Sequence, residues 1–172
     1  MRKHVILVGM SGSGKSTVGR LIAELLGAPF IDVDETIEKM EHRSIPEIFA
    51  EFGEEPFRER ERDLVDRALD NDPSVIVPGG GWATRPGNVD GALTRSLILY
   101  LRTEPGTAAA RLHGSADRPL LDRADVEGSL RAQLAVREPN YLRAASVVQT
   151  DDLTPDEVAG IAAALARETA GW

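Results

Sequence analysis

The residues best suited to chemistry lie in the stretch GMSGSGKST, residues 9–17, between a short apolar run and a helical pattern. Gly9, Gly14, Lys15 and Ser16 match the spacing GxxxxGK[ST] of a phosphate-binding loop. In such a loop, backbone N–H groups surround an anion, the lysine reaches the β- and γ-phosphates, and the hydroxyl is a ligand of Mg²⁺. The alternative is a Gly/Ser-rich turn with a solvated lysine. The order strand, loop, helix favours a nucleotide site.

Two carboxylates at the end of the apolar segment FIDVD, residues 30–34, are the next candidates. If the segment is a strand, alternation places Asp32 and Asp34 on one side, at the edge where open α/β sheets bind ligands. One carboxylate could support Mg²⁺ through water while the other accepts a proton from a hydroxyl group. The alternative is that Asp34 caps a following helix and Asp32 is solvated.

Three arginines are further candidates for a functional role. Arg58 and Glu61 are three residues apart in the helical pattern FRERERDLV and therefore share one face. Arg118 lies in the polar segment GSADRPLLD and Arg137 in AVREPNY. The alternatives are a salt-bridged surface helix for Arg58 and a solvated loop charge for Arg118. Loops of this length between helices are commonly lids.

The strand VIV, residues 75–77, runs into Pro78 and three glycines. A motor ATPase usually carries a Mg²⁺-supporting aspartate beside the phosphate loop. A surface without side chains indicates instead that a substrate approaches the backbone closely. A guanine-nucleotide switch needs an NKxD motif, and Lys3, Lys15 and Lys39, the three lysines of the chain, supply none.

Composition indicates a single domain without disulfide or thiolate chemistry. The chain has 172 residues and no cysteine, which allows one domain with a substantial core. Its net charge of −8 argues against a nucleic-acid partner held through phosphates. The apolar run VILV near the N-terminus is too short for a secretory or membrane segment. We therefore expect a cytoplasmic monomer with no membrane partner.

Short apolar runs alternate with helical patterns, which predicts a parallel sheet with crossover helices. The predicted strands cover residues 5–8, 30–34, 75–77, 97–101 and 147–150. The predicted helices cover residues 15–26, 44–53, 56–69, 105–112, 126–142 and 155–169. Ser44 and Glu47 form a capping-box pattern at the start of the second of these helices, and Gly53 marks its end. Together these elements predict a three-layer α/β/α sandwich.

Six segments, taken in order, resemble the shikimate kinase family, a part of the nucleoside-monophosphate-kinase-like group of P-loop NTPases. They are GMSGSGKSTVGR, FIDVDETIE, SIPEIFAEFGEEPFRERE, PGGG, RPLL and VREPNY. The phosphate loop alone is common, whereas the ordered set is far more specific. The resemblance implies one domain over residues 1–172 and a five-stranded parallel sheet of order 2-3-1-4-5. It also implies a helical substrate-binding region at about 34–61 and a mobile lid at about 113–125.

The resemblance further implies transfer of the γ-phosphoryl group of ATP to the 3-hydroxyl group of shikimate, with Mg²⁺, in aromatic amino-acid biosynthesis. The implied catalytic residues are Asp34, Lys15 and Arg118. The implied ATP-binding residues are Gly12, Ser13, Gly14, Lys15, Ser16, Thr17, Arg111, Arg118 and Pro155. The implied substrate-binding residues are Asp34, Arg58, Glu61, Gly79, Gly80, Gly81 and Arg137. The implied metal-binding residues are Ser16 and Asp32.

Each implied residue has a role in the resemblance. Arg58 and Arg137 clamp the carboxylate of shikimate, and Glu61 orients Arg58. Asp34 holds the acceptor hydroxyl group and serves as its base. Arg118 moves toward the transferring phosphoryl group with the lid.

Two residues depart from the family pattern, and two other functions remain as alternatives. His42 stands where the family usually has glycine, which leaves the local turn open. Trp82 follows the glycine run, residues 79–81, in place of a small residue, which leaves the size of the pocket and the identity of the acceptor open. The alternatives are a kinase of another small hydroxy acid, such as gluconate, and a non-catalytic nucleotide-binding homologue.

Overall fold

The computed structural model describes residues 1–113, 121 and 124–172. Five strands form one sheet, in which every pairing is parallel and the strand order is β2-β3-β1-β4-β5. The strands are β1 (His4–Val8), β2 (Phe30–Asp32), β3 (Val75–Val77), β4 (Ser96–Arg102) and β5 (Ser146–Gln149). The sheet and its strand order confirm the predicted fold.

Eight helices are present in the described part of the chain. They are α1 (Lys15–Leu26), α2 (Val33–Glu41), α3 (Ile45–Phe52), α4 (Glu54–Leu69), α5 (Asn88–Leu93), α6 (Pro105–Arg111), α7 (Val126–Tyr141) and α8 (Pro155–Thr169). A 3₁₀ turn covers Trp82–Thr84. The capping box at Ser44 and the end of α3 at Gly53 are confirmed.

The side chains of β1 show how the sheet divides the core into two layers. Ile6 and Val8 point into an apolar cluster with residues of α2 to α7, whereas Val5 and Leu7 point into a second cluster with α1 and α8. Alternation along a strand sends successive side chains to opposite faces, so a strand that is apolar throughout requires cover on both sides. The result is the predicted three-layer sandwich.

The boundary between β2 and α2 differs from the prediction. The strand ends at Asp32, whose carboxylate accepts a hydrogen bond of 3.2 Å from the backbone N–H of Glu35 and so caps α2. Asp34 therefore lies in the first turn of a helix, and the prediction that it shares one side of a strand with Asp32 is wrong. The alternative also named the wrong residue, because the cap is Asp32 rather than Asp34. The helix begins at Val33 because the Asp32 carboxylate accepts a hydrogen bond from one of the first backbone N–H groups of α2, which have no partner within the helix.

Candidate active site

The phosphate-loop residues form a bend between β1 and the start of α1. Gly12 and Gly14 have φ values of 80° and 88°, which glycine adopts without strain. Lys15 donates hydrogen bonds from Nζ to the carbonyl groups of Gly9 and Met10, at 2.8 and 3.0 Å. The ammonium group is thus held over the loop, and α1 begins beside it with its N-terminal N–H groups directed at the loop. This arrangement can hold the phosphates of a nucleotide.

Ser16 and Asp32 offer oxygen ligands next to this loop. The Ser16 hydroxyl group donates a hydrogen bond of 2.6 Å to Oδ2 of Asp32, which is 7% exposed. Mg²⁺ prefers hydroxyl, carboxylate and phosphate oxygens and keeps several waters. The two side chains therefore fit a Mg²⁺ ion that also binds nucleotide phosphates.

A cleft of about 460 Å³ joins the phosphate loop to the ends of the neighbouring strands. Its lining includes the phosphate loop together with Asp32, Asp34, Gly79, Gly80, Arg111, Thr150 and Pro155. At one end, Arg111 donates hydrogen bonds to the carbonyl group of Thr150 (3.1 Å) and, more weakly, of Gly12 (3.4 Å). The cleft thus unites the implied nucleotide residues, apart from Arg118, which lies outside the described residues, with three of the implied acceptor residues.

Arg58 and Glu61 form a buried ion pair on α4, where their spacing predicted a shared helical face. The distance from Arg58 Nη1 to Glu61 Oε2 is 2.9 Å, and the two residues are 7% and 0% exposed. A second carboxylate, that of Glu54, lies 3.2 Å from Arg58 Nε. Burial raises the pKa of Glu61 even though the Arg58 guanidinium beside it acts in the opposite direction. For Arg58, burial is the largest single effect and acts to lower the pKa, but the carboxylates of Glu61 and Glu54 together raise it above its usual value.

The glycine run closes around this pair. The backbone N–H of Gly79 donates a hydrogen bond of 2.7 Å to Oε1 of Glu61. A Cβ at position 79 would lie 2.6 Å from that oxygen and 3.1 Å from Oδ1 of Asp34, and a Cβ at position 81 would lie 2.6 Å from Cζ of Arg58. Any side chain at either position would displace the charged groups, which is a physical reason for glycine there.

Arg137 reaches the same place from α7. A Cβ at Gly80 would lie 3.3 Å from Arg137 Nη1, so the guanidinium lies beside the glycine run. The hydroxyl group of Tyr141, one turn further along α7, donates a hydrogen bond to the carbonyl group of Gly80. The fold therefore brings two guanidinium groups, the carboxylate of Asp34 and bare backbone to one side of the cleft.

Two residues singled out in the sequence, Arg118 and Trp82, are not among the described residues that line the cleft. Arg118 and most of the expected lid lie outside the described residues. Trp82 is 1% exposed and belongs to the apolar core. Neither Tyr141 nor Glu54 was a sequence candidate. The i, i+4 spacing of Arg137 and Tyr141 was the available signal for the tyrosine, because it places both on one helical face.

Comparison with known proteins identifies the family. The model of the shikimate kinase family matches residues 11–166. The chain belongs to the shikimate kinase family. A shikimate kinase of Symbiobacterium thermophilum is 44% identical over 146 residues, or 84% of each chain. A shikimate kinase of Mycobacterium avium is 42% identical over 92% of this chain and 90% of its own length.

Solved structures agree with the assignment to the shikimate kinase family. The shikimate kinase of Acinetobacter baumannii in complex with shikimate superposes with a TM-score of 0.92 at 33% identity, over 98% of this chain and 94% of that one. A gluconokinase of Sinorhizobium meliloti has a TM-score of 0.67 at 23% identity, over 99% of this chain and 94% of that one. The likeness to the gluconokinase shows the shared fold alone.

Proposed function

We propose that this chain transfers the γ-phosphoryl group of ATP to the 3-hydroxyl group of shikimate, in the pathway to aromatic amino acids. It is an ATP-dependent small-molecule kinase of the shikimate kinase family. The observation that best supports this acceptor is the position of Asp34. Its carboxylate lies beside Gly79 and the Arg58–Glu61 pair, and it lines the same cleft as the phosphate loop. An acid with a hydroxyl group could meet a nucleotide there.

Binding of the acid uses the two arginines. Arg58 and Arg137 hold the substrate carboxylate, since a guanidinium group donates two parallel hydrogen bonds to a carboxylate. Glu61 orients Arg58 through their 2.9 Å contact and fixes the glycine run through Gly79. The glycines leave room for the ring of the substrate beside the backbone.

Phosphoryl transfer depends mainly on positioning and charge stabilisation. Asp34 orients the acceptor hydroxyl group and takes its proton, while Lys15 stabilises the negative charge on the phosphates. Arg118 adds a second positive charge when residues 113–125 close as a lid, which also excludes water. Ser16 and Asp32 would hold Mg²⁺, which neutralises charge on the β- and γ-phosphates when bound.

Further residues of the phosphate loop and of the opposite end of the cleft bind the nucleotide. Gly12, Ser13, Gly14 and Thr17 contribute to phosphate binding, and Arg111 and Pro155 flank the adenine. Residues 1–172 form one kinase domain, in which residues 34–61 bind the acceptor. In the described part of the chain, no helix is both long and apolar enough to span a bilayer. A cytoplasmic monomer is part of the proposal.

A panel of acceptors tests the proposal. With ATP and Mg²⁺ present, ADP release is measured for shikimate, gluconate and several ring acids that lack the 3-hydroxyl group. We expect turnover with shikimate and little with the others, and a phosphate on the 3-oxygen of the product by NMR. Preference for gluconate would favour the alternative kinase. Nucleotide binding without turnover of any acceptor would favour a non-catalytic homologue.

A further inference from the structure

The hydroxyl group of Tyr141 connects the two halves of the acceptor site. Tyr141 is fully buried at 0% exposure, and its hydroxyl group donates a hydrogen bond to the carbonyl group of Gly80, 61 residues earlier in the chain. We infer that Tyr141 is a positioning residue, which holds the glycine run and Arg137 in the arrangement that binds the acid. This inference rests on the proposed function.

The backbone of Gly80, the guanidinium of Arg137 and the hydroxyl group of Tyr141 lie next to one another. A Cβ at Gly80 would lie 3.3 Å from Arg137 Nη1 and 3.6 Å from the Tyr141 oxygen. Arg137 and Tyr141 are four residues apart on α7, so they project from the same face. One hydroxyl group therefore sits next to both the backbone and the guanidinium that the acid would contact.

The hydroxyl group of Tyr141 is a permanent donor. Burial raises its pKa to about 12, against the opposing effect of the Arg137 charge. Tyr141 thus remains protonated at any pH where the enzyme would work. It donates its proton to Gly80 and leaves its lone pairs facing the positive charge nearby.

The ring of Tyr141 is fixed by its neighbours, so the hydroxyl group cannot move without disturbing the core. Its centroid lies 5.1 Å from that of Tyr100. The Tyr100 hydroxyl group donates a hydrogen bond of 3.1 Å to Glu138, which also accepts one of 2.8 Å from Arg102. The two rings form a tilted pair, with an interplanar angle of 36°. Their hydroxyl groups have different partners: Tyr141 donates to Gly80 in the acceptor site, and Tyr100 donates to Glu138, which is paired with Arg102.

Removal of the Tyr141 hydroxyl group would therefore act on the acceptor site specifically. The partly buried Gly80 carbonyl group would lose its donor, and rotation of the peptide toward the cleft would let it find another partner. A rotated Gly80 peptide would misplace both the backbone that faces the substrate and the neighbouring Arg137 side chain. We expect the nucleotide side to change less, because Lys15 and its hydrogen bonds to Gly9 and Met10 hold the phosphate loop independently of Tyr141.

Tyr141→Phe tests this, with Tyr100→Phe as the matched control. Each variant removes one hydroxyl group from the same pair of rings. For Tyr141→Phe we expect the KM for shikimate to rise about 2- to 10-fold, the equivalent of one lost hydrogen bond between neutral groups. Its KM for ATP should stay within about twofold of wild type. Tyr100→Phe should change neither KM, although both variants should lose some thermal stability.

The outcomes separate the inference from the proposed function. If wild-type protein does not phosphorylate shikimate, the proposed function and this inference both fail. If wild type is active and Tyr141→Phe keeps the wild-type KM for shikimate, only the inference fails. An equal rise of both KM values, or the same rise in Tyr100→Phe, would show that Tyr141 contributes only to folding and would overturn it. Calorimetric titration of shikimate into each folded variant gives the same comparison without turnover.

Discussion

At the scale of single residues, the acceptor side of the cleft is governed by a balance of charges. Arg58 is nearly buried, with 7% of the residue exposed, and faces the carboxylates of both Glu54 and Glu61. Glu61 is held by Gly79, whereas Glu54 is about half exposed at the first turn of α4. An incoming acid would therefore compete with Glu54 for the same guanidinium.

Glu54→Gln should lower the KM for shikimate by about two- to fivefold, because it removes a competing negative charge that is partly screened by solvent. The measurement is steady-state kinetics at low ionic strength, repeated at high salt, where the difference should shrink. Glu55→Gln is the control, since Glu55 is the adjacent residue but pairs with Arg85 instead. A higher KM in Glu54→Gln would mean that Glu54 orients Arg58 and does not compete with the substrate.

Asp34→Asn tests the assigned base. Asp32 caps α2 through Glu35, so the helix should still begin at the same place in the variant. We expect kcat to fall roughly 10²–10⁴-fold, the usual scale for a positioned base, and the KM for shikimate to rise. ATP affinity, measured by calorimetry, and thermal unfolding should change little. Retention of more than about a third of wild-type kcat would contradict a role as base.

At the scale of elements, local sequence patterns predicted the ends of most helices but not the end of the short strand β2 or the short helix α5. The capping box at Ser44 and the stop at Gly53 were readable because both depend on neighbours a few residues away. The predicted strand 30–34 was wrong by two residues, because Asp32 is used as a cap. Helix α5 was not predicted, since a helix of six residues gives almost no periodic signal.

His42 ends α2 in a conformation that suits glycine. Its φ and ψ are 51° and 37°, and it is the one non-glycine residue with positive φ in the described part of the chain. Its backbone N–H donates to Glu38, and its side chain is exposed, so little packing depends on the imidazole. The backbone therefore keeps the left-handed conformation with His42 in place of glycine, and the Cβ of His42 introduces backbone strain there.

His42→Gly should stabilise the protein by about 0.5–1 kcal/mol, the strain of a left-handed residue less the added entropy of glycine in the unfolded chain. That corresponds to a rise in Tm of roughly 1–4 °C for a domain of this size. His42→Ala keeps a Cβ in the same conformation and should bring no gain. Equal stability of the two variants would show that the backbone strain is negligible.

At the scale of the whole molecule, the parallel sheet explains why the candidate site is in one place. The phosphate loop follows β1, the glycine run follows β3, and Asp32 ends β2, so all three lie at the carboxyl edge of adjacent strands. Ligands bind at this edge in open α/β sheets. At the amino ends of the strands, at the edge of the sheet opposite the cleft, lies a buried histidine.

His4 lies at that opposite edge, at the start of the central strand. It is 3% exposed, and its Nδ1 accepts a hydrogen bond of 3.1 Å from the backbone N–H of Ser74. Burial lowers the pKa of His4 below 6.5, and the nearby Arg95 charge adds to this effect. The unfolded chain therefore binds a proton that the folded chain does not, and stability falls as pH drops below 6.5 toward the folded pKa.

His4→Asn should flatten the loss of stability on acidification. An amide oxygen can still accept from Ser74 but does not titrate in this range. Urea unfolding at pH 7 and pH 5 should show the wild type losing more stability than the variant, because the folded chain disfavours the protonated imidazole of His4. Parallel losses in the two proteins would mean that His4 does not couple to stability.

The sequence alone determined what depends on near neighbours. The spacing of Gly9, Gly14 and Lys15 predicted the loop at the start of α1, and the i, i+3 spacing placed Arg58 and Glu61 on one helical face, because such features are built within one turn or loop. The alternation of strands and helices predicted the sandwich, since a strand apolar on both faces needs two covering layers. The strand order came with the resemblance to a family rather than from the pattern.

Only the tertiary structure decided which distant segments meet. The contact of Glu61 with Gly79 spans 18 residues, and that of Tyr141 with Gly80 spans 61. Neither can be read from a local pattern, because each depends on how α4 and α7 pack against the end of β3. Packing also decided that Trp82 fills the core, and competition for one N–H group decided that Asp32 caps α2. Such outcomes follow from the balance of burial and hydrogen bonding over the whole chain, which no segment contains by itself.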